Sequence, residues 1–232
     1  MAPRVNTTVA ATEGALRGFL GAGESSRRFR LILPEFGGSA RLNDEASGSG
    51  FSYRGNTFAE RDTRAASHVQ ALLDQVVDIG NVTLEGTGTG IEQEHVSFLF
   101  GSRSNRATQT FLQEVGTGLF QFAFTDTWTI LCAGQRFSLP DPTILDPVQY
   151  AAADDYGVIA RVRSAASAPV FMIAGLGGRA TEGCGLYFRE HWVELDRAFG
   201  SQDFALVLKF SAPFDVNRVE QVASAWDVAR AF

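Results

Sequence analysis

Apolar residues along this chain gather into short runs that alternate with amphipathic stretches. Phe29-Arg-Leu-Ile-Leu33 is a compact run stopped by Pro34, the pattern of a first buried strand. His95–Phe100, Tyr156–Val162 and Asp203–Phe210 predict further strands. Ala168–Ala174 is nearly continuous in apolar character, as in a strand buried on both faces. Val82–Leu84 predicts a shorter one, and Phe120–Phe137 a set of hairpins.

Helical spacing appears between these runs. Ala65, Val69, Leu72, Leu73 and Val76 share one face, and Gly80 lies just past the end. Thr57-Phe-Ala-Glu60 has the form of a capping box, in which threonine and glutamate satisfy each other's free backbone N–H groups. Ala107, Phe111, Leu112 and Val115 predict a second helix closed by Gly116, and Phe188, Trp192, Leu195 and Phe199 a third. Val216, Val219, Val222, Ala223 and Trp226 predict a closing helix that starts at Asp215. Elsewhere glycine and proline dominate. Gly14, Gly18, Gly21 and Gly23 make the first residues a loose arm, and Gly37, Gly38, Gly48, Gly50 and Gly55 mark a long loop. Pro140, Pro142 and Pro147 enforce an extended connection.

The order is strand–helix–strand–strand–helix, a hairpin-rich insert, then strand–strand–helix–strand–helix. It predicts an α/β domain whose sheet is mostly parallel and covered by helices. The boundaries that follow are an arm at 1–26, the α/β domain at 27–212 and the C-terminal helix at 213–232.

Composition adds limits. A chain of 232 residues, 45% hydrophobic and 20% charged, has an ordinary globular make-up and needs no metal or disulfide staple. Its net charge of −6 and the lack of a basic face argue against a nucleic-acid partner. Arg27, Arg28 and Arg30 are too few for one and read as a solvated strand entrance. Cys132 and Cys184 read as buried free thiols. With His68, His95 and His191 they make no metal-ligand spacing, and no cofactor is indicated. The first residues lack a signal-peptide pattern, and no apolar run reaches the roughly 20 residues that span a bilayer. A cytoplasmic protein with no membrane partner is expected.

Two glycine-rich turns carry the candidate chemistry. Gly175-Leu-Gly-Gly-Arg-Ala-Thr-Glu-Gly-Cys-Gly185 lies between a strand and a helix expected to begin near Thr181. Bare glycine N–H groups and a helix's positive end suit an anion. Gly175, Gly177, Gly178, Thr181 and Gly183 are the binding candidates, and a plain strand–helix connection is the alternative. The spacing is neither a dinucleotide fingerprint nor a phosphate loop. Gly101-Ser-Arg-Ser-Asn105 is the second turn. Gly101, Ser102, Arg103 and Asn105 are its candidates, with Arg103 suited to clamp a phosphate or carboxylate, whereas Ser102, Ser104 and Asn105 also suit a helix cap. In a parallel sheet both turns fall at the carboxyl edge, where ligands bind. Glu182 and Asp155 are the candidate catalytic acids. Asp154 beside Asp155 also fits a solvated loop pair, and Cys184 fits a packed thiol or a nucleophile activated by the helix.

These motifs, Phe98 to Phe111 and Asp155 to Gly183, resemble an uncharacterised Rossmann-like domain of prokaryotic regulatory and conflict-type proteins, sometimes fused to helix-turn-helix modules. The resemblance covers residues 28–211. In that group the second motif more often ends Gly-Thr-x-Gly-Ala. Here Thr181 and Gly183 keep the threonine and one glycine, and Glu182 and Cys184 fill the positions around them. The resemblance implies a Rossmann-like sheet and the two turns, and supplies no reaction.

Three functions fit these observations. One is a regulatory domain that holds a small anion or nucleotide. Another is an enzyme on nucleotides or nucleosides, of glycosyl-bond hydrolase or transferase type. The last is an assembly protein whose terminal segments join a protein partner or form homo-oligomers.

Overall fold

The computed structural model describes residues 7–21, 28–43, 50–76, 81–86, 91–92, 94–115, 118–163 and 168–226. In chain order the first elements are α1 (Thr7–Phe19), β1 (Phe29–Leu33), β2 (Glu35–Asn43), β3 (Gly50–Phe58), α2 (Glu60–Leu73), β4 (Val82–Gly86), β5 (Val96–Phe100) and α3 (Arg106–Val115). Then come β6 (Phe120–Phe124), β7 (Thr127–Cys132), β8 (Gln135–Pro140), α4 (Pro147–Ala152), β9 (Asp155–Val162), β10 (Val170–Gly175), α5 (Gly178–Phe199), β11 (Phe204–Phe210) and β12 (Val219–Trp226).

Seven strands form one sheet in the order β12-β11-β9-β10-β5-β1-β4. The apolar runs with doubly buried character supply its middle: every residue of β1, β5 and β10 is buried. Alternate side chains feed two cores. Phe29, Leu31, Phe98, Phe171 and Ile173 point to the face covered by α1, α2 and α5. Ile32, Leu99, Met172 and Ala174 point to the face covered by α3 and by the three-stranded sheet β6-β7-β8, whose Trp128 and Ile130 join that core.

The sheet is mostly parallel, as expected, but not purely so. β4, β1, β5 and β10 pair in parallel, but β9 pairs antiparallel with both β10 and β11, and β12 antiparallel with β11. The cause is connection length. β9 ends at Val162 and β10 begins at Val170, a connection shorter than a parallel crossover needs, so the chain reverses and the two pair as neighbours. The reversal matters for the site, because β9 begins at the edge where β10 ends: Gly157 sits opposite Gly175.

Several local expectations change. The stretch read as a long loop forms an antiparallel ribbon, β2 with β3, in register from Glu35↔Phe58 to Asn43↔Gly50. Thr57 therefore lies in a strand, and Ala59 is the N-cap of α2 with no side-chain cap bond, so the capping box does not form. The closing helix is replaced over Val219–Trp226 by a strand paired with β11. The proline-rich connection contains α4, whose N-cap Asp146 makes a capping box with Gln149. The N-terminal arm holds a helix that buries Leu16, Phe19 and Leu20, with Phe19 against Phe171, Phe188 and Trp192. Arg30 is buried and pairs with Glu85 instead of facing solvent. Gly23, Arg27, Gly48, Gly80 and Gly116 lie outside the described residues. Among the described residues no helix is long and apolar enough to cross a membrane.

α5 starts at Gly178, not near Thr181. Most of the second glycine-rich stretch is thus helix, and close packing is the reason glycine is tolerated there. A Cβ on Gly183 would lie 2.2 Å from the Phe210 ring, and one on Gly185 would lie 2.7 Å from the backbone of Ala65 in α2. Gly185→Ala should therefore separate α5 from α2 and lower stability by about 1–3 kcal/mol. Gly14→Ala, where a Cβ meets nothing within 4 Å, should raise it by up to about 1 kcal/mol. Urea unfolding of the two variants checks this contrast; equal midpoints would refute the packing role of Gly185.

Candidate functional site

β5 and β10 are parallel neighbours, with Phe100 opposite Ile173, so the turns that follow them lie side by side. The Ser102 hydroxyl donates to the Gly175 carbonyl at 2.6 Å and ties the two turns together. They border a cavity of about 480 Å³, within the size range of small-molecule sites. The first turn contributes Gly101 to Ser104, and the second contributes Gly175 to Gly178 with Thr181. Gly101 has φ 81°, a conformation that glycine adopts without strain. A Cβ on Gly175 would lie 2.3 Å from the Gly177 carbonyl, so this bend needs glycine for space. Thr181 closes the bend, its hydroxyl accepting from the Gly175 N–H at 2.9 Å.

The insert forms the remaining wall. Trp128 of β7, Pro142, Thr143 and Tyr150 of α4 all line the cavity. The Arg103 guanidinium lies 5.0 Å from the Trp128 ring centre and 3.8 Å from Asp141. The Thr143 hydroxyl and, more weakly, Arg103 hold the Asp141 carboxyl below its usual range.

Asp155 is fully buried beneath this wall. Its carboxylate accepts from the N–H groups of Tyr156 at 2.9 Å, Gly177 at 3.0 Å and Ala180 at 3.1 Å, and from the Tyr150 hydroxyl at 3.1 Å. It thereby caps α5, whose N-cap is Gly177. Arg179 Nε lies 4.0 Å away, and the Arg179 guanidinium lies 3.9 Å from the Tyr150 ring centre. Burial still pushes the Asp155 carboxyl upward, against those hydrogen bonds. Burial also raises Tyr150 to about 12. Asp155 is therefore committed to holding the start of α5, and it is not among the described residues that line the cavity.

Asp62, on the first turn of α2, lines the cavity and is 5% exposed. Burial raises its carboxyl to about 6, with a hydrogen bond from Thr181 acting in the opposite direction. Among the described residues no cation pairs with it. A Cβ on Gly101 would lie 3.3 Å from its Oδ2. Sequence reasoning missed it: Asp62 sits on the polar side of an amphipathic helix, and nothing local shows that the two turns bury that side.

The other sequence candidates divide. Ser102, Arg103, Gly101, Gly175, Gly177, Gly178 and Thr181 come together at the cavity. Asn105 does not: it is fully buried, its Nδ2 donates to the carbonyls of Ile32 and Phe100, and its Oδ1 caps α3 through Ala107 and Thr108. Gly183 packs on Phe210 and is not among the described residues that line the cavity. Glu182 faces α2 and pairs with Arg61 and, at 3.4 Å, with Arg64, so it is a helix-to-helix strut instead of an acid in the site. Cys184 is completely buried, and that burial raises its thiol well above the usual range, which leaves it a packing residue. Asp154 pairs with Lys209 at 2.8 Å, apart from Asp155. Both cysteines are free, and among the described residues no three His, Cys, Asp or Glu side chains gather to hold a metal ion.

Comparison with protein-family models, with curated proteins and with solved structures found no match to this chain.

The raised Asp62 carboxyl makes stability depend on pH. The folded state prefers the protonated form, so the contribution is complete below the ordinary value of 3.8 and is lost as pH rises through about 6. Asp62→Asn should therefore stabilise the protein at pH 7 by up to about 3 kcal/mol, two units at about 1.4 kcal/mol each. The gain should fade between pH 6 and pH 4. Thermal melts of both proteins across that range test it; a gain that grows on acidification would be the wrong sign. Asp155→Ala, by contrast, leaves the start of α5 uncapped beside a buried arginine and should cost about 2–4 kcal/mol at every pH near neutral, read from urea midpoints.

Proposed function

We propose that this chain is a Rossmann-like domain that binds a small ligand of nucleotide or nucleoside class between its two turns. The observation that carries the proposal is Asp62: a buried carboxyl, without a cation, lining a cavity shared by both turns. Such a group costs stability, and among the described residues only the Thr181 hydroxyl acts against that cost, which is a usual mark of a functional position. Its setting agrees with a ligand site. β1 is flanked by β4 on one side and β5 on the other, and in open α/β sheets ligands bind at the carboxyl ends near such a change of direction. Trp128 and Arg103 supply a planar, cationic wall suited to a flat ring or a phosphate.

A regulatory binding role is the simplest use of this cavity. An enzymatic role on the same ligand class has one observation in its favour. A carboxyl held near pH 6 is close to the working pH, as a general base requires. In that reading Asp62, in place of Glu182 or Asp155, takes a proton from a bound hydroxyl or water.

A thermal-shift panel of nucleosides, nucleotides and NAD tests the proposal. A ligand at about 100 times its Kd adds about 2.7 kcal/mol and should raise Tm by roughly 5–10 °C in a domain of this size. Arg103→Ala should reduce that shift for phosphorylated ligands. Product analysis of the same mixtures separates binding from turnover. No shift with any compound would refute the binding role.

A further inference from the structure

Charge around the cavity is unevenly committed. The N–H groups that begin α5 are largely taken, those of Gly177 and Ala180 by Asp155 and that of Arg179 by the Tyr150 hydroxyl at 3.4 Å. A phosphate placed at this helix end would meet amides that already hold a buried carboxylate. Two of the nearby arginines are also engaged. Arg61 touches Gly178 with its stem but gives its guanidinium to Glu182. Arg179 turns its guanidinium onto the carbonyls of Ala151 and Ala153. Arg103 is the single cation among the described residues that line the cavity, and its side chain is 50% exposed. Asp62 marks the opposite condition: it is buried and acidic, and among the described residues the Thr181 hydroxyl is the one donor that lowers its carboxyl. The Ser102 hydroxyl is directed to the Gly175 carbonyl and so is not given to Asp62.

We propose that the buried end of the cavity receives an uncharged head rich in hydrogen-bond donors, of the kind a ribose cis-diol presents, and that any phosphate on the ligand lies outward at Arg103. The inference rests on the small-molecule reading above and adds which way round the ligand sits. A carboxylate accepts two donors side by side, so a cis-diol satisfies Asp62 without bringing a second negative charge beside a buried one. Arg103 is free to turn from Asp141 towards a phosphate, a bidentate pairing that its planar fork favours.

Isothermal titration of the full chain at pH 7.5 tests this orientation. The probes are the four ribonucleosides, their 2′,3′-dideoxy forms, their 5′-monophosphates and inorganic phosphate, each against wild type, Asp62→Asn and Arg103→Ala. The expected result has three parts. At least one ribonucleoside and its monophosphate bind, and the dideoxy form is weaker by about tenfold or more. Asp62→Asn weakens nucleoside and monophosphate alike, although the variant folds at least as stably as wild type by circular dichroism. Arg103→Ala weakens only the monophosphate, and phosphate alone gives no binding heat. Tighter monophosphate binding by Asp62→Asn, or binding of inorganic phosphate alone, overturns the orientation. Nucleoside binding that Asp62→Asn leaves unchanged also overturns it, while keeping the small-molecule reading. Failure of every probe to bind overturns both.

Discussion

The start of α5 depends on one buried carboxylate. Asp155 accepts hydrogen bonds from three backbone N–H groups and a tyrosine hydroxyl, with Arg179 close by. A helix that begins with glycine and has no side-chain cap of its own is poorly defined in isolation. Here the cap comes from a different element, the first residue of an antiparallel strand. The same carboxylate fixes Gly177, which borders the cavity, and Tyr150, which forms its wall. Strand reversal, helix start and cavity shape are consequently one arrangement. Replacing β9 by a parallel strand would move its first residue to the other edge of the sheet and leave the helix end bare.

Two buried aspartates on the same edge play opposite parts. Asp155 is surrounded by donors and stabilises the fold through them. Asp62 has little besides Thr181, and its carboxyl is pushed up to about 6. The contrast is electrostatic. Desolvation raises both carboxyls, but Asp155 meets three N–H groups and a tyrosine hydroxyl, whereas Asp62 meets the Thr181 hydroxyl. An acid supplied with donors builds structure, and one with a single donor stands apart from that scaffold.

Much of the sheet was legible in the sequence because its strands are buried on both faces. Phe29–Leu33 is a run that no helix of that length and flank would carry, and the runs at β5, β9, β10 and β11 follow the same logic. The elements that escaped are those whose burial is partial. β12 exposes half of Trp226 and alternates weakly, so its apolar spacing fits a helix as well as an edge strand. The β2–β3 ribbon is rich in glycine and polar residues and has no apolar run to announce it. Glycines at 183 and 185 suggested a turn because they are poor helix formers, yet close contact with Phe210 and Ala65 outweighs that preference. Within the site, the glycine bends were visible as punctuation. Asp62 was not, since its value lies in what surrounds it in space.

The ribbon has a bearing on how the site is held. Its base is tight: Pro34 alone separates β1 from β2, Ala59 alone separates β3 from α2, and Glu35 pairs with Phe58. The start of the helix bearing Asp62 is therefore fastened to the end of β1, and its side is fixed by the Gly185–Ala65 contact and the Arg61–Glu182 pair. Held at two places, the acid has little room to follow movement farther out along the ribbon.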